Sequence, residues 1–297
     1  MRAFVFKLCS IFGVLALFAQ LHSAPFFSRY KQKPKPAPVA LPPSKIFTYE
    51  ISAGAQYYRY EEPGVMHIKG PMTTFDGSVG VIDGLFKYQL EGYFSNHIGS
   101  SVYHGGLIDT TTKKQTPFST KSTDFYFGVN AKTGIAVVKE GKQTLFAYVG
   151  LGYRFLDNFN IDPPHLRASY ERLQGYLYAP IGLMSEIALK PTLSLLASFE
   201  FRGFLFGHNS SLTKQLHFDS DLHFTQGLGD GLGMRLSGGV KIYLETKEAI
   251  KVEAFYDYWD VADSTTQEAF KRGVSQGIFV EPKNNTNAFG LSVGYIF

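Results

Sequence analysis

The chain has almost no cysteine, a single tryptophan and few charges. Among 297 residues Cys9 is the one thiol, and Asp, Glu, Lys and Arg together make up 18%, with a formal net charge of +4. Beyond the first two dozen residues there is also no apolar run near the roughly 20 residues that a transmembrane helix requires. Each absence removes a class of function. Cys9 lies in a segment expected to be cleaved off, so disulfides, thiolate catalysis and cysteine-ligated metals are excluded from the mature chain. Loss of Arg2 and Lys7 with that segment takes the charge from +4 to about +2, too little to favour nucleic acid. Any membrane crossing must use a closed barrel of strands, because only helices and closed barrels satisfy their backbone groups in lipid.

What the chain does have is glycine and aromatics, with 30 Gly, 27 Phe and 18 Tyr. A charged start (Arg2, Lys7), an apolar stretch from Leu8 to Leu21 and the small pair Ser23-Ala24 predict a secretory signal peptide over residues 1–24. Residues 25–45 hold Lys31, Lys33 and Lys35 among Pro34, Pro36, Pro38, Pro42 and Pro43. Proline at that density fixes φ and removes donors, which predicts an extended periplasmic tether.

From residue 46 to 297 the pattern is all-β. Ten segments alternate with period 2: residues 47–60, 74–82, 85–94, 124–138, 145–155, 172–187, 193–206, 231–244, 250–259 and the last through Phe297. In the first, Tyr49, Ile51, Ala53, Ala55 and Tyr57 share one face and Glu50, Ser52, Gly54, Gln56 and Tyr58 the other. In the last, Phe289, Leu291, Val293, Tyr295 and Phe297 alternate with Ala288, Gly290, Ser292 and Gly294. Short turns follow the second, fourth, sixth and eighth segments, the first of them at the hairpin signal Asp83-Gly84. Long polar stretches, about residues 61–73, 95–123, 157–170, 207–230 and 260–286, follow the others. This spacing predicts a transmembrane up-and-down antiparallel β-barrel with short periplasmic turns and long extracellular loops. Eight strands, with one hairpin merged, or twelve, with one hidden in a loop, are the alternatives.

A soluble barrel would bury its apolar face. Here the face opposite the apolar one carries Glu50, Lys87, Glu91, Asp124, Lys132, Arg154, Arg172, Glu186, Glu200, Arg202, Arg235, Lys241, Glu253 and Asp257, seven acidic and seven basic. Taken with the export signal and the aromatic terminus, these charges fit a lumen better than a watered exterior. Opposite charges there are expected to pair, since an unpaired buried charge costs several kcal/mol. With the interior tyrosines they nearly fill a barrel of about ten strands, well short of the roughly 16 that leave a wide channel. A narrow selective pore stays open as an alternative.

The last strand, ending on Phe297, resembles the terminal strand of the small Gram-negative outer-membrane β-barrels, of the OmpA-barrel or omptin size. The resemblance implies that Phe297 is an assembly signal read by the barrel assembly machinery, and that outer-membrane lipid and lipopolysaccharide surround the barrel. It also makes an extracellular ligand or host surface a possible partner of the loops. It names no cofactor, and none is expected. Omptin-type proteases hold Asp and His pairs at the extracellular rim; Asp157, Asp162, His165, Asp260 and Asp263 are rim candidates here, with no motif matched residue by residue.

The sharpest local pattern is His217, Asp219, Asp221 and His223. If the strand that follows extends this far, the four share one face, where imidazoles and carboxylates are candidate ligands for a divalent metal or acid and base groups. The plainer alternative is the polar side of an extended hairpin. Gly273, Ser275 and Gly277, and again Gly290, Ser292 and Gly294, have Gly-x-Ser-x-Gly spacing but without the strand-to-helix context of a nucleophile elbow, and no phosphate loop is present. Ser210, Ser211 and His208 would have to be drawn together to serve a lipid hydrolase. These residues frame two functional readings, a surface protein with binding loops and an outer-membrane hydrolase with a rim site.

Overall fold

The computed structural model describes residues 45–108, 115–164, 168–245 and 248–297. The expected signal peptide, all of the expected tether but Lys45, and His165 lie outside them. Along the chain run β1 (Ile46–Glu62), β2 (Met66–Asp83), β3 (Phe86–His97), β4 (Ser101–Ile108), β5 (Gln115–Glu140), β6 (Gln143–Ile161) and β7 (Arg172–Lys190). There follow β8 (Leu193–Ser211), a 3-10 turn (Thr213–Leu216), β9 (Leu222–Gln226), β10 (Gly231–Tyr243), β11 (Ala249–Val261), β12 (Thr266–Lys271), β13 (Val274–Val280) and β14 (Asn284–Ile296).

Ten strands, β1, β2, β3, β5, β6, β7, β8, β10, β11 and β14, pair antiparallel in that order, and β14 returns to β1 to close the barrel. The seam runs from Glu50↔Ile296 to Glu61↔Asn285 and is extended by hydrogen bonds between Tyr49 and Phe297 (3.2 and 3.0 Å). At the turn end, the first hairpin places Gly84 and Leu85 between β2 and β3, with Gly84 at φ 64°, where a side chain would be strained.

Outside, the barrel wears an apolar belt. On β14, Phe289, Leu291 and Val293 are 60%, 58% and 57% exposed, whereas the alternate Ala288 and Ser292 are buried. Phe47, Ile51, Phe75, Leu90, Val129, Leu151 and Ile181 continue the belt around the wall. Its edge toward the loop end is marked by Tyr57, Phe94, Phe127 and Phe289; beyond it the outward residues are chiefly polar, such as Arg59, Lys69, Lys121 and Asn287. An apolar outer band over a charged lumen is the pattern of a membrane-spanning barrel.

The loop end differs from the sequence expectation. Much of what reads as loops is strand: β2 begins at Met66, β5 at Gln115, and β4, β9 and the hairpin of β12 and β13 add further pairs. The barrel wall therefore continues well past the belt.

Candidate functional site

The belt-level lumen is a lattice of ion pairs. Glu50 pairs with Lys251, which also lies 3.7 Å from Glu253. Lys241 and Tyr243 meet Glu186, the former at 3.4 Å. Lys132 bridges Glu91 and Glu200 at 2.6 Å each. Arg202 joins Glu200 (2.7 Å) to Asp257 (2.5 Å), and Arg235 also meets Asp257. Lys87 donates to the Met184 sulfur at 3.0 Å. Arg154 instead lies over the rings of Tyr126, Tyr176 and Trp259, at 4.9, 5.8 and 6.0 Å, where cation–π attraction offsets part of its desolvation. Arg154, Arg202, Arg235 and Asp257 border, with Gln56 and Trp259, a void of about 20 Å³, room for about one water. At that level the lumen is closely packed, while toward the turn end inward groups such as Glu186 and Lys241 are partly exposed. Alternation places Asp76 and Lys251 in this lattice too, by the same parity as Ser78 and Glu253, although the sequence reading passes over both.

Above the belt the interior becomes a polar network. Arg172, at the start of β7, meets Glu62 at 2.5 Å and Glu281 at 3.6 Å. Gln174 donates to Tyr60 (2.9 Å) and to Glu281 (2.8 Å), and Tyr176 donates back to Gln174 (2.9 Å). Burial pushes the Glu281 carboxyl up to about 7, with Glu62 adding to the push and Arg172 opposing it. The shorter contact explains the sharing: Glu62 is the closer counter-ion of Arg172.

Beside this network the wall opens. The β3–β5 ladder stops at Asn96↔Phe125, and β4 takes over only at Ser101↔Ser122. One further register step would set His97 opposite Asp124. The break leaves a groove of about 430 Å³ bordered by Asn96, His97, Asp124, Phe125, Asp157 and Glu171. The His97 Nδ1 lies 3.2 Å from the Pro71 carbonyl, which can only accept, so Nδ1 carries the proton and Nε2, buried without a partner, is the free acceptor. Asp124 accepts from Ser122 and Asn158, both at 2.7 Å, while its second oxygen has no partner. Burial holds His97 down to about 4 and pushes Asp124 up to about 6. Burial, then the neighbouring Glu171 carboxyl, pushes Asp157 up to about 7. A neutral imidazole beside carboxyls that titrate near neutrality is a set able to accept and return protons.

The four residues singled out by their alternation are not brought to one point. His217 caps the 3-10 turn at φ 65°, so the chain is not extended there and only β9 is strand. Asp219 accepts from the backbone of Arg272 (2.7 Å) and Gly273 (2.8 Å) and so fixes the turn of the β12–β13 hairpin. Asp221 accepts from the Lys214 backbone at 3.0 Å. His223 stands 2.9 Å from the Ser210 hydroxyl across the β8–β9 ladder. Among the described residues no three His, Cys, Asp or Glu side chains form a metal-holding group.

The remaining rim candidates are spread around the loop end. Asp162 accepts from Ala168 and Ser169, Asp260 pairs with Lys283 at 3.2 Å, and Asp263 accepts from the Lys283 backbone. His208 is not with Ser210 but contacts Tyr153 at 2.9 Å, crossing over Gly175, where any side chain would strike both rings. Sequence reasoning missed His97, Glu62 and Glu281. His97 shares the inward parity of Tyr93 and Ser95, but nothing local marks the break in pairing that exposes it.

No protein-family model and no curated protein sequence matches the chain. Among solved structures it is similar to the outer membrane protease OmpT from Escherichia coli, with a TM-score of 0.62 and 11% identity over 87% of this chain and 99% of that one. The translocator domain of the autotransporter NalP from Neisseria meningitidis has a TM-score of 0.39 at 9% identity, covering 84% of this chain and 88% of that one. Ail, the attachment invasion locus protein of Yersinia pestis, has a TM-score of 0.28 at 12% identity, covering 84% and 98%. These last two likenesses are too loose to argue from. The first establishes a shared fold and says nothing of activity: this chain is a ten-strand β-barrel of the outer-membrane type.

Proposed function

We propose that the protein is a non-conducting surface protein of the outer membrane, in which a sealed barrel anchors a rigid platform that binds an extracellular partner. The observation that carries the reading is the continuation of the wall beyond the belt, where β4 and β9 join the barrel strands and β12 and β13 pair with each other as a separate hairpin. Function concentrates where loops are held on a rigid scaffold, and here the loops are themselves paired strands. In this reading the loop end faces outward, the belt contacts lipid and lipopolysaccharide, and Phe297, stacked on Tyr49 at 6.1 Å, is the mark read by the assembly machinery.

The test is adherence. Cells of a non-adherent Gram-negative host displaying the full chain are expected to attach to cultured epithelial cells or to each other. Replacing residues 265–281 by a short Gly-Ser turn should abolish attachment while leaving the barrel heat-modifiable on gels. Attachment equal to that of empty cells would sink the reading.

A rim hydrolase is the second reading. Ser210 and His223 lie at nucleophile-to-base distance, 2.9 Å, and, separately, His97 and Asp124 border the groove between β3 and β5. Peptidase or esterase turnover that disappears in Ser210→Ala, or in Asp124→Asn, would favour it over the binding platform and would say which of the two places acts.

A further inference from the structure

On the outer wall above the belt, three strands align polar side chains in a single cross-strand row. His67 of β2 is opposite His104 of β4, and His104 is opposite Ser119 of β5. The imidazole centroids are 4.9 Å apart with the planes tilted by 37°, so the rings face each other obliquely rather than stacking flat. Ser119 donates its hydroxyl proton to the Tyr103 carbonyl at 3.0 Å, and its oxygen lies 3.1 Å from His104 Nδ1. With that proton committed, the hydroxyl oxygen accepts, so Nδ1 of His104 carries its hydrogen and Nε2 keeps the lone pair. A hydrogen bond to the other ring nitrogen is how metal-binding histidines are fixed in tautomer and orientation.

We propose that His67 and His104 together bind a divalent transition-metal ion of the imidazole-preferring class, with copper(II) favoured over zinc. The two imidazoles are the protein ligands and water completes the coordination sphere. Glu61 occupies the next position of the row, opposite His67, but it is held by Arg59 at 2.9 Å and does not join them. This is consistent with the lack of any three-residue group among the described residues. The β2–β4 ladder spans only His67↔His104 to Lys69↔Val102, so the bound ion would clamp β4 to the barrel where backbone pairing is shortest.

The experiment is calorimetric titration of copper(II) chloride, and separately zinc chloride, into the tag-free full chain folded in detergent. One ion per chain is expected. His67→Ala and His104→Ala should each abolish binding, Ser119→Ala should weaken it by about tenfold through loss of the ring's orientation, and His217→Ala/His223→Ala should leave it unchanged. Heat-modifiability checks that each variant is folded, and His104→Gln keeps a polar side chain should the alanine variant fail that check. No heat of binding in the wild type, undiminished binding in the His67→Ala/His104→Ala double variant, or loss of binding in the His217/His223 pair would overturn the proposal.

Discussion

The two halves of strand β2 obey opposite rules. From Phe75 to Val81 the odd-numbered side chains face outward and are apolar, with Phe75 and Val79 exposed. From Met66 to Met72 the apolar residues are the even-numbered Met66, Ile68 and Met72, which face inward and are buried, while His67 and Lys69 point out. The strand crosses from one regime to the other without a bulge in its pairing to β1. What changes is the solvent. In lipid the cheap outer face is apolar and the lumen holds the charges; in water the apolar residues turn inside, as in a soluble barrel. A phase switch in a continuous strand therefore locates the membrane boundary to within a residue or two.

This contrast can be attacked from either side, and the largest effect is expected in the belt-level lumen. Arg202 is 3% exposed and bridges Glu200 and Asp257. Arg202→Ala leaves Glu200 with Lys132 and Asp257 with Arg235 but removes the cation between them, and should cost about 3 kcal/mol, read as a lower urea midpoint in liposomes. Next comes the outer face: Leu291→Arg places a cation in the belt and should cost about 2–4 kcal/mol near the midplane, whereas Asn285→Arg on the same face above the belt should be nearly silent. An equal loss at both positions would erase the boundary.

The loop end should respond to pH as the belt does not. A carboxyl whose folded pKa is raised binds more protons when folded, so its contribution is complete below the unfolded value of about 4.3 and is lost as pH rises through the folded one. Glu281 and Asp157 at about 7 and Asp124 at about 6 predict a rise in local opening, read as amide exchange relative to the intrinsic rate at each pH, in β4, β9 and the ends of β6 and β7 as pH goes from 5 to 8. Glu281→Gln should flatten that rise. The smallest effect is at the turn end, where the exposed pair of Lys45 and Asp83, 3.4 Å apart, should contribute no more than about 1 kcal/mol; Lys45→Ala checks it by the same urea midpoint.

The belt was legible in the sequence because lipid imposes one unbroken alternation, and each of the ten barrel strands follows from it. The extension was not. A reading that follows outward apolar residues stops at Thr74, where β2 changes phase, and takes residues 61–73 for a loop; the same switch hides the first residues of β5 and the end of β8. The candidate sites were harder still. Asp124 and Arg172 are recognisable as inward charges by parity, but that His97 borders the same groove depends on the interruption between β3 and β5, and that His67 meets His104 depends on the β2–β4 register. Neither is written in local spacing. The alternation of His217, Asp219, Asp221 and His223 led the other way, since a left-handed residue and a bend replace the strand it implied.

One scan addresses the whole account. With Cys9 replaced, single cysteines placed at each position from 66 to 82 and spin-labelled in lipid bilayers would report oxygen against water-soluble relaxant accessibility along β2. Lipid exposure is predicted at odd positions from 75 to 81, water exposure at odd positions from 67 to 73, and little access of either kind at even positions from 66 to 74. Lipid exposure running on to His67 would contradict the boundary, and free water access at Met72 and Thr74, both buried, would contradict a closed lumen.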